Sequence, residues 1–201
     1  MITLLLAEAE IEALPSPFLF EGREVRILDA AIMPTDGRRG RPDAALAFIR
    51  PVLASDPFRH GSIGLLVHTC DGRMIECSPG AAFPSERADY LALLTELYDR
   101  GSCCAGLVRM RSSLPLPEEL RRFRRIVVMS PLGEKKPLRQ VAQEEVVVVV
   151  GGFTAGELSP GIFDQADEVV SLGDEYLTLD QVATLLLGEI TSPDPASSAR
   201  A

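Results

Sequence analysis

The hydrophobic residues of this chain fall into short continuous runs, and in its second half each run ends at a polar or glycine-containing loop. The five consecutive valines at 146–150 predict a strand covered on both faces, as in a parallel sheet. Further short strands are predicted at 2–6, 126–129 and 168–172. Open α/β sheets bind ligands outside the carboxyl ends of their strands, so the loops at 130–134, 151–157 and 173–176 are expected to form one pocket. Taken alone, the glycine turn at 151–156 is equally compatible with a tight connection.

Helical spacing of apolar residues marks the longer segments between these strands. Helices are predicted at 44–54, 86–100 and 178–190, with a short basic helix at 118–125. Asp43 stands where the first of them should have its N-cap, and Thr178 is the candidate N-cap of the closing helix.

A β-hairpin is predicted between the first two helices. Its strands, 63–69 and 73–77, flank Asp71-Gly72, a dipeptide that suits the positive φ values of a tight type I′ turn. Near the amino terminus, Pro15-Ser16-Pro17 is interpreted as a break, and 25–29 as an extended segment.

Composition fits one globular domain. The chain has 201 residues, of which 46% are hydrophobic and 24% charged. We expect a domain over 1–190 and a disordered Ser/Pro/Ala-rich tail over 191–201. A bilayer-spanning run of about 18 apolar residues and a signal peptide are both lacking, so a cytoplasmic protein without membrane association is expected. Four cysteines without a CxxC pair, and only two histidines, support neither a metal site nor a disulfide framework.

The charge balance limits the classes of partner. A net charge of -9 argues against indiscriminate binding of nucleic acid, because such binding depends on phosphate neutralisation. Basic clusters at 38–41, 121–125 and 135–139 nevertheless leave room for a specific RNA site. The alternative is that each cluster is a solvated surface.

Several motifs, taken in order along the chain, resemble one known family. They are Arg39-Gly40-Arg41-Pro42-Asp43 before an apolar helix and Ser55-Asp56-Pro57, Val67-His68-Thr69 in the hairpin, Glu76-Cys77-Ser78-Pro79, and the turn Gly151-Gly152-Phe153-Thr154-Ala155-Gly156. Their order and spacing resemble the Nep/Emg family of ribosomal RNA pseudouridine methyltransferases, members of the SPOUT superfamily of knotted methyltransferases. The resemblance extends from Leu4 to about Ile190.

The resemblance implies a SPOUT-type α/β knot, with a deep trefoil knot in the carboxyl-terminal part, in a single domain with a β-hairpin/helix insertion that forms a homodimer. It also implies S-adenosylmethionine as cofactor, no metal, and methylation of ring nitrogen N1 of a pseudouridine in small-subunit ribosomal RNA during ribosome biogenesis. By similarity, the cofactor-binding residues are Leu132, Gly133, Gly151, Gly152, Gly156, Ser171, Leu172, Gly173, Asp174, Glu175, Tyr176 and Leu177.

A second set of candidate residues would act on the RNA. By the same resemblance, Arg38, Arg39 and Arg41 are the candidates for phosphate contacts, and Arg41 and Asp43 are the candidate catalytic residues. Asp43 either caps the following helix or orients Arg41 through a charge-assisted bond, and both roles can coexist.

Three arginines that the family carries after the hairpin are replaced here by Ala82, Ser85 and Asp89. Arg87 lies within one helical turn of these positions and is the candidate to substitute for them. The group that takes the proton of the substrate is not identified; its candidates are Asp43, Asp29 and His68.

Two other functions stay open at this stage. One is a catalytically silent relative that serves ribosome assembly as an RNA-binding factor. The other is a SPOUT methyltransferase with a different RNA substrate.

Overall fold

The computed structural model describes residues 1–35, 39–141, 145–173 and 176–191. The strands are β1 (Ile2–Ala9), β2 (Ala13–Phe20), β3 (Arg23–Ile27), β4 (Ile63–Thr69), β5 (Arg73–Cys77), β6 (Ser102–Cys103), β7 (Val108–Ser112), β8 (Arg125–Lys135), β9 (Val146–Gly151) and β10 (Glu168–Ser171). The α-helices are α1 (Pro42–Ala54), α2 (Asp56–Arg59), α3 (Arg87–Arg100), α4 (Leu116–Leu120), α5 (Leu138–Val141), α6 (Pro160–Phe163) and α7 (Leu179–Thr191).

One large sheet organises the described part of the chain, with strand order β10-β8-β9-β1-β4-β5-β7-β6. Neighbours from β10 to β4 are parallel, and those from β4 to β6 are antiparallel. All five valines of β9 are buried between the two hydrophobic clusters that cover the faces of the sheet. The prediction of a buried strand in a parallel sheet is therefore confirmed, and the mixed α/β fold with it.

The predicted hairpin has the expected strands but a different turn. β4 and β5 pair antiparallel, with His68 opposite Met74. Gly72 has φ +79° and its N–H donates to the carbonyl of Thr69 at 3.1 Å, whereas Asp71 does not have positive φ. A type I′ turn needs positive φ at both central residues, so the predicted turn type was wrong and one glycine in the left-handed region closes the loop.

The predicted and observed structures also differ at several short or exposed elements. Residues 15–17, predicted as a break, belong to β2, which pairs with β3 in a separate two-stranded sheet. The predicted basic helix over 118–125 is shorter and earlier, since α4 ends at Leu120 and β8 begins at Arg125. Helix α1 begins at Pro42, so Asp43 lies in its first turn and is not its N-cap. A carboxylate there still suits the positive end of the helix dipole.

An arch in β8 shapes one edge of the sheet. The first two residues of β10 pair with 127–128 of β8 and its last two pair with 134–135, so that 129–133 leave the ladder. These residues are called the β8 arch below. At its end, an added Cβ on Gly133 would lie 2.6 Å from the carbonyl carbon of Val170 and 2.7 Å from its nitrogen. Glycine is therefore required there by the close approach of two backbones.

A buried carboxylate joins α4 to β7. Glu119 accepts hydrogen bonds from Arg111 Nη1 at 2.8 Å and Nη2 at 3.1 Å, and from the N–H of Leu114 at 3.0 Å. Arg122 Nη1 lies 2.8 Å from its second oxygen. The bonds from Arg111 lower the pKa of Glu119 to about 2, although burial opposes them.

Glu119→Gln should therefore lower the free energy of unfolding by about 3 kcal/mol at pH 7. Because the folded pKa lies below the unfolded one, ionised Glu119 contributes this stability above about pH 4.5 and loses it as the pH falls toward 2. Urea unfolding at pH 7 and pH 3 measures the difference, which should shrink at pH 3. The exposed neighbour, in Glu118→Gln, should change stability by less than about 0.5 kcal/mol. An equal cost of Glu119→Gln at both pH values would show that its charge is not the cause.

Candidate functional site

A cavity of about 610 Å³ lies beside the β8 arch, at the carboxyl ends of β9 and β10. All three segments predicted as pocket loops contribute to it, although 130–134 belongs to strand β8 and was wrongly predicted as a loop, and the first turns of α1 and α7 close its other side. The cofactor candidates that line it are Leu132, Gly151, Gly156, Ser171, Leu172, Gly173, Tyr176 and Leu177. Candidates Asp174 and Glu175 lie outside the described residues.

The glycine turn after β9 is held against the end of β1. The N–H of Gly152 donates to the carbonyl of Ala7 at 2.7 Å, and an added Cβ would lie 2.7 Å from the Cα of Ala9. Gly152 therefore fastens the turn and lies outside the cavity wall, and its role in cofactor binding stays a prediction. The adjoining residues 153–158 do line it.

Gly133 is the second cofactor candidate that lies outside the cavity wall. Gly133 lies where the β8 arch crosses β10, and its missing side chain allows the two backbones to approach closely. The wall itself is formed by residues 129–132, including Ser130, whose hydroxyl accepts a hydrogen bond from the N–H of Leu132 at 3.2 Å.

The loop after β10 is held by hydrogen bonds at its first residues, and exposed apolar side chains surround the mouth of the cavity beside it. The buried Ser171 hydroxyl donates to the carbonyl of Gly173 at 2.6 Å and accepts from its N–H at 3.2 Å. Leu132 and Tyr176 are 79% and 82% exposed at the rim. Both side chains are therefore exposed enough to contact a ligand that enters the cavity.

Helix α7 contributes a wall that was not predicted. Thr178 precedes the helix as predicted, and its N–H donates to Gln181 Oε1 at 2.9 Å, as in a capping box. Leu179, Asp180 and Val182 then line the cavity. The sequence could have predicted this wall, because a helix that starts directly after a ligand-binding loop begins at the same edge of the sheet as that loop.

Arg41 and Asp43 form a two-point ion pair in the cavity wall. Arg41 Nε and Nη2 each donate to one oxygen of Asp43 at 2.9 Å. Of the two predicted roles for Asp43, the structure therefore shows the orientation of Arg41. Partial burial raises the pKa of Asp43, but the hydrogen bonds and charge of Arg41, with the charge of Arg87, outweigh it and hold this pKa below its ordinary value.

The other two candidates for the proton acceptor lie away from the cavity. Asp29 is fully buried, and both of its oxygens accept hydrogen bonds from Arg87. His68 lies within β4, where burial lowers the pKa of its imidazole. Of the three candidates, Asp43 is the one that lines the cavity.

The described arginines put forward for RNA binding are engaged by carboxylates. Arg39 binds Glu12 through Nε at 2.9 Å and Nη2 at 2.7 Å. Arg87 binds the buried Asp29, as described above. Neither lines the cavity, and Arg38 lies outside the described residues. An ion-paired arginine must release its carboxylate before it can neutralise a phosphate.

One buried acid behind the cavity was missed from the sequence. Glu10 is 1% exposed, and its Oε2 accepts from the hydroxyl of Thr154, a cavity residue, at 3.4 Å. Its carbonyl accepts from the N–H of Arg41 at 3.2 Å. Glu10 thus connects the glycine turn to the Arg41–Asp43 pair.

The cavity is large enough for a small molecule, lies at the carboxyl ends of parallel strands, and is lined by loops and an oriented arginine. These features define an α/β ligand-binding protein of the kind that holds a cofactor at the sheet edge. The profile of the EMG1/NEP1 methyltransferases matches residues 4–190. The chain belongs to this family.

Known proteins agree with this assignment. The ribosomal RNA small subunit methyltransferase Nep1 of Methanothrix thermoacetophila is 26% identical over 93% of this chain and 94% of its own length. Its namesake from Pyrobaculum aerophilum is 34% identical over 72% of this chain and 68% of its own. The fold resembles the crystal structure of Archaeoglobus fulgidus Nep1 bound to S-adenosylhomocysteine, with a TM-score of 0.77, 20% identity, and coverage of 93% and 95% of the two chains.

Two further properties concern the described ranges. Within them, the helices are too short or too polar to cross a membrane. No group of three or more His, Cys, Asp or Glu residues is placed there to hold a metal ion.

Proposed function

We propose that this protein is an S-adenosylmethionine-dependent methyltransferase that methylates N1 of a pseudouridine in small-subunit ribosomal RNA. The observation that carries the proposal is the cavity beside the β8 arch and at the carboxyl ends of β9 and β10, with the Arg41–Asp43 pair in its wall. Family membership and the names of the relatives support the reaction and the RNA. Since ribosomal RNA is the substrate, we place the protein in the cytoplasm, with a role in ribosome biogenesis.

The cavity fits this cofactor by size and lining. Its volume of about 610 Å³ lies within the range of about 300–1,000 Å³ that small-molecule sites occupy. Apolar side chains such as Leu158 and Leu172 offer surface to a base, and the backbone at 156 and 173 has no Cβ in the way; at 151 the ring of Phe153 fills the space that a Cβ would take. We assign binding to these loops, including Asp174 and Glu175 of the third. The bound cofactor supplies an electrophilic sulfonium methyl group, so that no metal is required.

The protein's task is then to place the target nitrogen and to assist loss of its proton. A nucleobase in a stem is inaccessible, so we expect a loop nucleotide turned out into the cavity. Arg41, held by Asp43, can donate hydrogen bonds to a carbonyl of the base or to a phosphate. Asp43 is a weak base because of its lowered pKa, so we assign it the orientation of Arg41 and not proton removal.

We also propose the knot and the homodimer that the family resemblance implies. The β8 arch, under which β10 runs at Gly133, supports a chain that passes through its own loop before α7. Exposed Leu132 and Tyr176 at the rim, with Leu185 on α7 at 43% exposure, support a partner subunit beside the cavity. Light scattering should give twice the mass of one chain, and a monomeric mass would refute the dimer.

Calorimetric titration with S-adenosylmethionine and mass spectrometry of ribosomal RNA test the function. We expect saturable binding by the folded protein, and a pseudouridine that loses its methyl group in cells without the gene. Folded protein that binds no cofactor would favour the silent assembly factor. Cofactor binding with unchanged small-subunit RNA and a lost methyl group in another RNA would favour the different substrate.

A further inference from the structure

We propose that Arg50 and Arg59 bind the phosphate backbone of the RNA beside the reacting nucleotide, in a groove that continues from the cavity. The proposal rests on the proposed function, since it names the surface by which the same site holds its RNA. The groove, called the arginine groove here, has a volume of about 850 Å³. Arg50 of α1 and Arg59 of α2 lie on one side, and the segment 80–83 on the other.

The arginine groove and the cavity are continuous. Asp43, Ala47 and Asp180 line both of them. Along α1, Asp43, Ala47 and Arg50 follow one another at the i, i+4, i+7 spacing of one helix face. Arg50 therefore lies on the face that carries Asp43, about 10 Å further along the helix axis. A strand whose nucleotide enters the cavity can continue along this face.

The two arginines of the arginine groove are more available to a polyanion than the predicted RNA-binding arginines, although Asp180 and the Arg41-bound Asp43 line the groove where it meets the cavity. Arg39, Arg41 and Arg87 each make a two-point pair with a carboxylate. Arg50 is exposed and forms neither an ion pair nor a side-chain hydrogen bond within the described residues. Among the same residues Arg59 has one distant partner, Asp56, at 3.9 Å, and both side chains are largely in water.

A phosphate binds most favourably to an arginine that does not first have to break an ion pair. A surface pair at 3.9 Å contributes little, so Arg59 can leave it at small cost. In the part of the chain that the structure describes, Arg50 has no carboxylate to leave. On a chain with a net charge of -9, such uncommitted cations beside the cavity are needed to offset repulsion of the RNA backbone. The groove wall opposite is small and neutral, with Ala81 and Ala82, and leaves room for a strand.

Binding of fragments of unmethylated small-subunit ribosomal RNA, titrated at several salt concentrations, tests the proposal. Arg50→Ala should weaken binding about tenfold and reduce the slope of log Kd against log salt by about 0.7, the value for one contact with a single strand. Arg59→Ala should act in the same direction, and Arg50→Lys should keep the salt slope. Affinity for S-adenosylmethionine should stay unchanged in all three.

Arg124→Ala is the matched control. Arg124 is also exposed and has no ion pair or side-chain hydrogen bond in the described residues, but it precedes β8 and so lies at the opposite edge of the sheet from the cavity. Its loss should leave RNA affinity within about twofold of the unsubstituted protein. Unchanged affinity and salt slope in both Arg50→Ala and Arg59→Ala, or an equal loss in Arg124→Ala, would overturn the arginine groove. Failure of the unsubstituted protein to bind cofactor or RNA would instead overturn the proposed function.

Discussion

Alanine in place of Gly133 should disrupt the cofactor site and destabilise the carboxyl-terminal half of the sheet. The added methyl group would lie 2.6–2.8 Å from backbone atoms of Val169 and Val170, where no side-chain rotation can relieve the contact. The β8 arch must lift, so that 134–135 lose their pairing with β10. We expect a loss of about 3 kcal/mol in the free energy of unfolding, because overpacking against a fixed backbone is at the upper end of such costs.

The same displacement should weaken S-adenosylmethionine binding by roughly a hundredfold, since the arch carries the cavity wall from Met129 to Leu132. Urea unfolding and calorimetric titration measure the two effects. Gly173→Ala is the control: Gly173 also lines the cavity, but among the described residues an added Cβ meets no atom within 4 Å. Its stability should be equal or slightly higher, because alanine restricts the unfolded chain. If Gly133→Ala were as stable as Gly173→Ala, the close crossing of arch and strand would be refuted.

The parallel half of the sheet could be predicted because its signal is strong and local. The valine run of β9 is covered on both faces and contains no polar residue that would suggest another structure. β2 gave the opposite signal, since Pro15 and Pro17 normally interrupt strands. They are tolerated because β2 has a single neighbour and the register shifts between Ala13 and Phe18.

β7 was missed for a different reason. Its sequence Val-Arg-Met-Arg-Ser alternates, but with only two apolar positions over 108–112. The strand exists because it pairs with β5 on one side and β6 on the other. Such long-range pairing is not visible in a five-residue window.

The position of the cavity could be predicted, whereas the state of its charged residues could not. Loops at the carboxyl ends of parallel strands must meet at one edge, which fixes where a ligand binds. Whether an arginine is available depends on partners that are distant in sequence. Arg87 meets Asp29, 58 residues away, and Arg39 meets Glu12, 27 residues away. A single arginine that has no carboxylate partner in the folded structure therefore indicates an RNA-binding surface better than a cluster of basic residues in the sequence does.

Asp43→Asn should lower kcat/KM for RNA methylation about a hundredfold while affinity for S-adenosylmethionine stays within about twofold. The carboxylate accepts two charge-assisted hydrogen bonds from Arg41, and an amide can accept only one and turns its NH₂ group toward the guanidinium. A loss of about 3 kcal/mol in the orientation of Arg41 corresponds to this factor. Single-turnover methylation of small-subunit RNA, with Glu118→Gln as an exposed carboxylate outside both the cavity and the arginine groove, measures it.

The dependence on pH separates orientation from proton removal. Because the folded pKa of Asp43 lies below its ordinary value of 3.8, the carboxylate is ionised throughout pH 5–9 and adds no titration step there. Asp43→Asn should thus lower the rate by the same factor across this range. Arg41→Lys should cost as much, since an ammonium cannot make the two-point contact, and the double substitution should be far from additive. A step in the pH profile that disappears in Asp43→Asn alone would instead identify Asp43 as the proton acceptor, because an orienting carboxylate of lowered pKa has no proton to exchange in that range.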